Sequence, residues 1–286
     1  MAGPRRSIRF HLRPLAATFA AGAVAAVLLD PGPGLAQLEP RIPGPNQAVE
    51  LELVLAVDTS SSVSPEEFDL QMRGFAGAFR DPSVIAAIAA TGSDGVAVSM
   101  IQWSDNRRQV VAVDWQLLVE EESVLGFAEM IDGTPRFLDG GGTAIGGAIE
   151  FALAELGRNG FEGRRKVIDI SGDGRANQGA QPDSLRDLAV LQGVTINGLA
   201  ILNEDSSVAD YYRTTVIGGP GAFVTTANDY ESFALAILEK LIREIGSVPV
   251  AGPPPPDRAP KVAQAEREAE PQPHHPWDPA RLQPGY

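Results

Sequence analysis

The chain has 286 residues, 44% of them hydrophobic, which is enough for one large domain or two small ones with a substantial core. Its formal net charge of −14 disfavours binding to nucleic acid or anionic lipid and leaves a basic or cation-bridged partner easier to accept. The absence of cysteine excludes a lipoprotein anchor, disulfides and thiol catalysis. Its three histidines, His11, His274 and His275, lie near the chain ends, so neither a serine–histidine triad nor a histidine zinc site is expected.

The amino terminus has the pattern of an export signal. Four arginines precede an apolar run over residues 15–29, and the small-residue sequence Gly-Leu-Ala follows at residues 34–36. The run is shorter than the roughly 20 residues of a membrane span, although an uncleaved anchor is the alternative. We therefore predict a signal peptide over residues 1–36 and a periplasmic or secreted location, with no membrane attachment after cleavage. Residues 37–48 contain three prolines and are predicted to form a linker.

The first predicted strand ends in a run of small polar residues. Residues 51–57 are apolar or β-branched apart from Glu52, which indicates a strand buried on both faces of a parallel sheet. Asp58 follows where the strand should end, with Ser60 and Ser62 at alternate positions, and open α/β sheets bind ligands at this edge. Oxygen donors, several of them neutral, favour Mg²⁺ or Mn²⁺ over zinc. Turn and cap formation is the alternative for this pattern alone.

A helix and a hairpin are predicted next. Ser64, Pro65 and Glu67 have the spacing of a capping box, and the apolar stripe that follows them predicts a helix packed on the sheet. The link between the predicted strands at 95–103 and 109–115 is too short for a helical crossover, so this pair should be antiparallel. Helical segments are predicted at 84–90 and, with an acidic first turn, at 119–131.

A glycine-rich loop over residues 139–148 precedes another predicted helix, which runs to about Leu156. Glycines allow close approach of the backbone to a bound group, and Thr143 is expected at the helix start. A phosphate cradle is the competing interpretation, but the Gly-Lys-Ser/Thr of a P-loop is absent. We therefore interpret the loop as placing Thr143.

The second half of the predicted domain alternates strands and helices. A strand over 166–171 ends at Gly-Asp-Gly, so Asp173 is a second carboxylate at a strand end. The alternation predicts an α/β Rossmann-like three-layer sandwich, with a mostly parallel central sheet, one antiparallel strand and helices on both faces. The proline-rich residues 247–286 are predicted to be a disordered tail. The remaining predicted helices are 184–191, 208–216 and 230–245, and the remaining strands are 194–201 and 222–225.

Together these motifs resemble the metal-ion-dependent adhesion site of von Willebrand factor type A domains, which have the integrin I-like fold. The family pattern is Asp-x-Ser-x-Ser, a distant Thr, and an Asp-Gly after a strand, and the resemblance covers residues 49–246. Within the family, the chain is most similar to exported bacterial type A proteins with no assigned function. That closer similarity rests on Trp103-Ser104, Ser171-Gly172-Asp173-Gly174 and Asp210-Tyr211-Tyr212.

The resemblance implies a non-enzymatic protein-binding module that depends on Mg²⁺ or Mn²⁺. Ser60 and Ser62 would ligate the cation through their hydroxyls, while Thr143, Asp58 and Asp173 would act directly or through water. One coordination position would accept an acidic side chain from an unidentified partner protein.

The chain departs from the family pattern in one place, because Gly172 separates Ser171 from Asp173. Asp173 is therefore expected slightly farther out, and Asp169 is a possible substitute ligand. Its position inside a predicted buried strand favours a different role, as a carboxylate hydrogen-bonded to neighbouring backbone or hydroxyl groups.

Two other functions remain open from the sequence. An aspartate at the end of a first strand is also the nucleophile of Mg²⁺-dependent phosphoryl-transfer hydrolases, which commonly carry a second acid two residues on. Here Ser60 holds that place, and Lys166 and Lys240 are the only lysines of the predicted domain. The third possibility is a structural subunit in which the metal is incidental.

Overall fold

A six-stranded sheet organises the residues that the structure, a computed structural model, describes: 47–203 and 205–246. The predicted signal peptide, most of the predicted linker and the predicted tail lie outside these ranges. None of the helices within them is both long and apolar enough to cross a membrane.

The order of the strands confirms the predicted fold class. The sheet runs β3-β2-β1-β4-β5-β6, and every neighbouring pair is parallel except the β2–β3 hairpin. β4 begins five residues before the predicted start, and β6 lies two residues later than predicted. The strands are β1 (Gln47–Asp58), β2 (Val96–Trp103), β3 (Gln109–Leu118), β4 (Phe161–Gly172), β5 (Val194–Ile201) and β6 (Val224–Ala227).

Helices cover both faces of the sheet and give it two hydrophobic cores. Alternate β1 side chains point to opposite faces, so Leu53 and Leu55 pack with α1, α3 and α7, whereas Val54 and Ala56 pack with α4 and α5. The helices are α1 (Pro65–Arg80), α2 (Pro82–Ala89), α3 (Glu121–Asp132), α4 (Ile145–Leu156), α5 (Pro182–Leu191), α6 (Val208–Tyr211) and α7 (Phe233–Gly246).

Helix α1 fixes the turn that follows β1. Its predicted capping box is present, because Glu67 N donates to Ser64 Oγ at 3.2 Å and Ser64 N donates to Glu67 Oε2 at 2.8 Å. The predicted apolar stripe is buried, and the ring of Phe75 packs edge-to-face against that of Phe233, with centroids 5.3 Å apart. The segment between Asp58 and Ser64 is thus held at both ends by buried structure.

Several predicted helix boundaries differ from the structure, and three of the differences concern α4, the segment over 208–216 and α7. Helix α4 begins at Ile145, with Ala144 as its N-cap, so Thr143 lies in the preceding loop rather than at the helix start. The predicted helix over 208–216 is the single turn α6, continued by a π-helical turn from Tyr212 to Val216. Helix α7 begins at Phe233, three residues later than predicted.

Candidate metal centre

The carboxyl ends of β1 and β4 meet at the middle of the sheet. Val57 of β1 pairs with Ser171 of β4, so the residues that follow each strand emerge side by side. Because Asp58 ends β1 and Asp173 directly follows β4, the two carboxylates predicted to bind a metal lie at the same edge.

Asp58 opens a tight turn and is fully buried. Its Oδ1 accepts a hydrogen bond from Ser60 N at 2.7 Å, and its backbone carbonyl accepts one from Gln71 Nε2 of helix α1 at 3.3 Å. Its Oδ2 is buried and has no hydrogen-bond partner among residues 47–203 and 205–246. A buried carboxylate oxygen without a donor is costly, so this atom calls for a partner.

Side-chain oxygens connect the Asp58 turn to Asp173. Ser60 Oγ and Ser62 Oγ are 3.1 Å apart, and Ser62 Oγ donates to Asp173 Oδ1 at 2.8 Å. Asp173 is itself 4% exposed, and its Oδ2 accepts a hydrogen bond from Tyr230 Oη at 3.0 Å. The intervening Gly172 therefore leaves Asp173 within hydrogen-bond distance of the first turn.

Backbone hydrogen bonds place Thr143 at the same edge. Thr143 N donates to Asn177 Oδ1 and Asn177 N donates to Thr143 O, both at 2.9 Å, which ties the threonine to the segment after Asp173. A Cβ atom built on Gly174 would lie 3.8 Å from Thr143 Oγ1. The structure thus brings all five predicted site residues to one edge of the sheet, although their role as metal ligands remains a prediction.

Two positions in the loop before Thr143 require glycine. Gly140 and Gly141 have φ angles of 61° and 110°, which L side chains rarely adopt. A Cβ atom on Gly141 would lie 3.1 Å from Asp105 Oδ2. Gly141 O also accepts from Ser61 N at 3.0 Å, so the loop is joined to the Asp58 turn as well.

Arg136 holds the Asp58 turn from the outside and was missed by the sequence reasoning. Its Nη1 donates to Val63 O at 2.8 Å, and its Nη2 donates to Thr59 O at 2.9 Å and Ser60 O at 3.1 Å. The guanidinium therefore orders three carbonyl groups of one turn. No local sequence pattern marks this arginine, because its partners in the Asp58 turn lie more than seventy residues away.

The charge balance of the site favours a cation. Burial and, after it, the charge of Asp173 raise the pKa of Asp58 to about 8, against the opposing effects of the Ser60 hydrogen bonds and of Arg136. Neither Asp58 nor Asp173 forms a salt bridge within the described residues. Residues 47–203 and 205–246 contain no group of three acidic or histidine side chains placed to hold a metal. Two carboxylates supplemented by hydroxyls are therefore the available donors, and this set fits a hard divalent ion.

Asp169 lies away from this edge. It is buried inside β4, and Lys240 Nζ is 2.6 Å from its Oδ1. The expectation of hydrogen bonds to backbone or hydroxyl groups is wrong, because within the described ranges neither carboxylate oxygen accepts one. Its partner is instead a buried lysine from helix α7, the last helix in the described part of the chain.

A family model covers nearly all of the described domain. Residues 48–249 match the family described as "Protein of unknown function (DUF1194)". The chain belongs to the DUF1194 family. No curated protein matches this DUF1194 sequence.

Solved structures show which fold this DUF1194 protein has. Proximal thread matrix protein 1 from the mussel byssus is 19% identical with a TM-score of 0.54, and the match covers 72% of this chain and 50% of that chain. A structure of the same protein "with zinc occupied MIDAS motif" is 19% identical with a TM-score of 0.51, over 72% and 50% of the two chains. The match to a von Willebrand factor type A protein from Catenulispora acidiphila has 15% identity and a TM-score of 0.49, and it covers 70% and 43% of the chains.

The fold of this chain is therefore that of the matched part of proximal thread matrix protein 1. The chain spans about half the length of the mussel matrix protein that it matches. At these identities the likeness shows the fold alone.

Proposed function

We propose that this domain is a non-enzymatic protein-binding module that depends on a divalent metal and acts in the periplasm or outside the cell. One observation carries the proposal: Asp58 Oδ2 is buried with no donor among residues 47–203 and 205–246, beside Asp173 and two serine hydroxyls, at the carboxyl edge of the sheet. A pair of buried carboxylates with neutral oxygens around it is a set that a cation would complete.

Five residues would hold the cation. Ser60 and Ser62 would contribute hydroxyl oxygens, and Asp58, Thr143 and Asp173 would act directly or through water. Because several of these donors are neutral, the cation would remain electrophilic enough to bind a carboxylate of a partner protein. The all-oxygen set favours Mg²⁺ or Mn²⁺. The zinc-occupied MIDAS motif of the mussel protein supports a divalent ion in this type of fold.

The lysines of the domain argue against phosphoryl transfer. Lys166 pairs with Glu52 at 3.3 Å and with Glu162 at 3.5 Å, and Lys240 is buried against Asp169. The sheet edge that carries Asp58 and Asp173 is called the metal edge below. Neither lysine is available there to bind a transferred phosphate. Ser60 stands where such hydrolases commonly carry a second acid. A phosphatase assay with Mg²⁺ and generic substrates is expected to show no activity.

Calorimetry with and without the metal tests the proposal. The exported protein, purified and stripped with chelator, is expected to bind Mg²⁺ or Mn²⁺, and Asp58→Ala should abolish this binding. Capture of a partner from the native exported fraction should fail both with Asp58→Ala and in chelator. If neither ion binds and capture is unchanged by Asp58→Ala, the proposal is wrong. Binding of the ion together with chelator-resistant assembly would instead support a structural subunit.

A further inference from the structure

Tyr212 is a buried tyrosine whose hydroxyl has no assigned role. It is fully buried at the start of the π-helical turn Tyr212–Val216, and its Oη has no hydrogen-bond partner in the described part of the chain. A buried hydroxyl without a partner is unfavourable and calls for an explanation. Irregular π-helical turns are also frequent at functional sites.

Two glycines make room for this side chain. A Cβ atom on Gly198 of β5 would lie 2.6 Å from Tyr212 Cδ1, so the glycine allows the ring to rest on the sheet. A Cβ atom on Gly172 of β4 would lie 2.8 Å from Tyr212 Oη. Neither glycine has a positive φ angle, so both are explained by space rather than by backbone conformation.

The space beside Gly172 is shared with the metal centre. The same Cβ position on Gly172 lies 2.8 Å from Asp58 Oδ2, the carboxylate oxygen that has no donor in the described residues. Tyr212 Oη and Asp58 Oδ2 therefore lie beside one small space, and neither has a hydrogen-bond partner among the described residues. Gly172 is also the residue at which the sequence departs from the adhesion-site pattern. The crowding that a side chain would cause here is a physical reason for glycine at this position.

We propose that Tyr212 is a positioning residue for the metal centre, whose hydroxyl donates to Asp58 Oδ2, directly or through one buried water, when the cation is bound. Ser60 N already fixes Oδ1, so a second donor would fix the plane of the carboxylate. Tyr230 provides the same kind of contact to Asp173, at 3.0 Å. This inference rests on the proposed metal site.

Tyr212→Phe tests the inference through two separate measurements. Calorimetry with Mn²⁺ and with Mg²⁺ is expected to show affinity about tenfold weaker than wild type, in the range of lost outer-shell contacts to metal ligands. The melting temperature in chelator is expected to stay the same or rise slightly, because the Tyr212 hydroxyl has no hydrogen-bond partner to lose among the described residues. Tyr211→Phe is the matched control, since its hydroxyl accepts from Ala176 N at 3.3 Å, and it should keep wild-type affinity.

Gly172→Ala provides a second, independent variant. Its methyl group would crowd both oxygens, so metal affinity should fall, and the loss should be smaller when Tyr212→Phe is already present because the two changes act on one space. Wild-type affinity in Tyr212→Phe would overturn the inference, as would a fall in metal-free melting temperature parallel to the loss of affinity. If the wild-type protein binds no ion at all, it is the proposed metal site that fails. If Gly172→Ala does not fold, Tyr212→Phe alone decides.

Discussion

Two regions of this domain bury a pair of carboxylates, and they differ in where the positive charge comes from. In the interior, Asp169 of β4 and Glu244 of α7 share Lys240, and Asn197 Nδ2 donates to Glu244 Oε1 at 2.8 Å. At the metal edge, Asp58 and Asp173 have serine and tyrosine hydroxyls but no lysine or arginine ion pair in the described ranges. The first region has a lysine of the chain as its counter-charge, whereas the second would take a cation from solution under the proposed function.

The electrostatics of the two regions support this distinction. Burial raises the pKa of Asp169, as it does that of Asp58, and the neighbouring Glu244 raises it further. For Asp169 the main opposing influence is the charge of Lys240, and for Asp58 it is the hydrogen bonds from Ser60. A full positive charge offsets buried negative charge more completely than dipoles do. The interior cluster is therefore expected to serve stability and the edge to serve binding.

Removing the internal cation should have the largest effect. Lys240→Met leaves Asp169 and Glu244 buried without a counter-charge, and we expect it to lower the free energy of unfolding by about 3–5 kcal/mol. Urea denaturation measures this loss. Lys166→Met, at a lysine that is 25% exposed, is the control and should cost much less. Equal losses in the two variants would contradict a special role for the interior cluster.

Asp58→Asn should have the opposite effect on stability. At pH 8.5 in chelator the variant is expected to be more stable than wild type by about 1–3 kcal/mol, because it removes a buried charge whose Oδ2 has no donor in the part of the chain that the structure describes. The same variant should lose metal binding in calorimetry. A loss of stability similar to that of an interior ion pair would mean that the two regions do not differ as described.

The pH dependence of stability should separate the regions further. Folded Asp58 keeps its proton up to about pH 8, whereas the unfolded carboxyl loses it near 3.8, so the folded state binds more protons between these values. The free energy of unfolding in chelator should therefore fall as the pH rises from 4 to 8. Saturating Mg²⁺ should remove the Asp58 part of this fall. The part due to Asp169 should remain with metal, and it should also remain in Asp58→Asn.

The smallest expected effect concerns Arg136, the cation that serves the metal edge without touching its carboxylates. Arg136→Lys retains the charge but cannot reach three carbonyl groups at once, so we expect a loss of about 1 kcal/mol in unfolding free energy. Metal affinity should weaken modestly, because the turn around Ser60 becomes less ordered. Unchanged affinity in calorimetry would indicate that Arg136 serves stability alone.

Local patterns predicted most of the fold. β5 is predicted over 194–201 and is observed over those residues, because its apolar and β-branched residues are bounded by clear turn signals. The β2–β3 hairpin followed from the short link between its strands. β6 was placed two residues early, since an edge strand of four residues has little pattern of its own.

The candidate site was predictable in part, for a related reason. Asp58, Ser60, Ser62 and Asp173 follow strand ends, and the topology of a parallel sheet brings such positions together. Residues that approach from distant loops and helices carry no such signal. Arg136, Tyr212, Tyr230 and Lys240 were accordingly not assigned their contacts from sequence, because each acts on a partner far away along the chain.

The first described strand begins near the point where α7 ends, and this arrangement has a mechanical consequence. Gln47 pairs with Phe161 at the foot of β1, and near the same end Arg165 donates to the carbonyls of Glu244 and Ile245, where α7 finishes. Asp58 lies at the other end of this twelve-residue strand, roughly 35–40 Å away. Under the proposed function, tension between a captured partner and the Gln47 end of the domain would run along the axis of β1. The hydrogen bonds to β2 and β4 then share the load in shear instead of opening one after another.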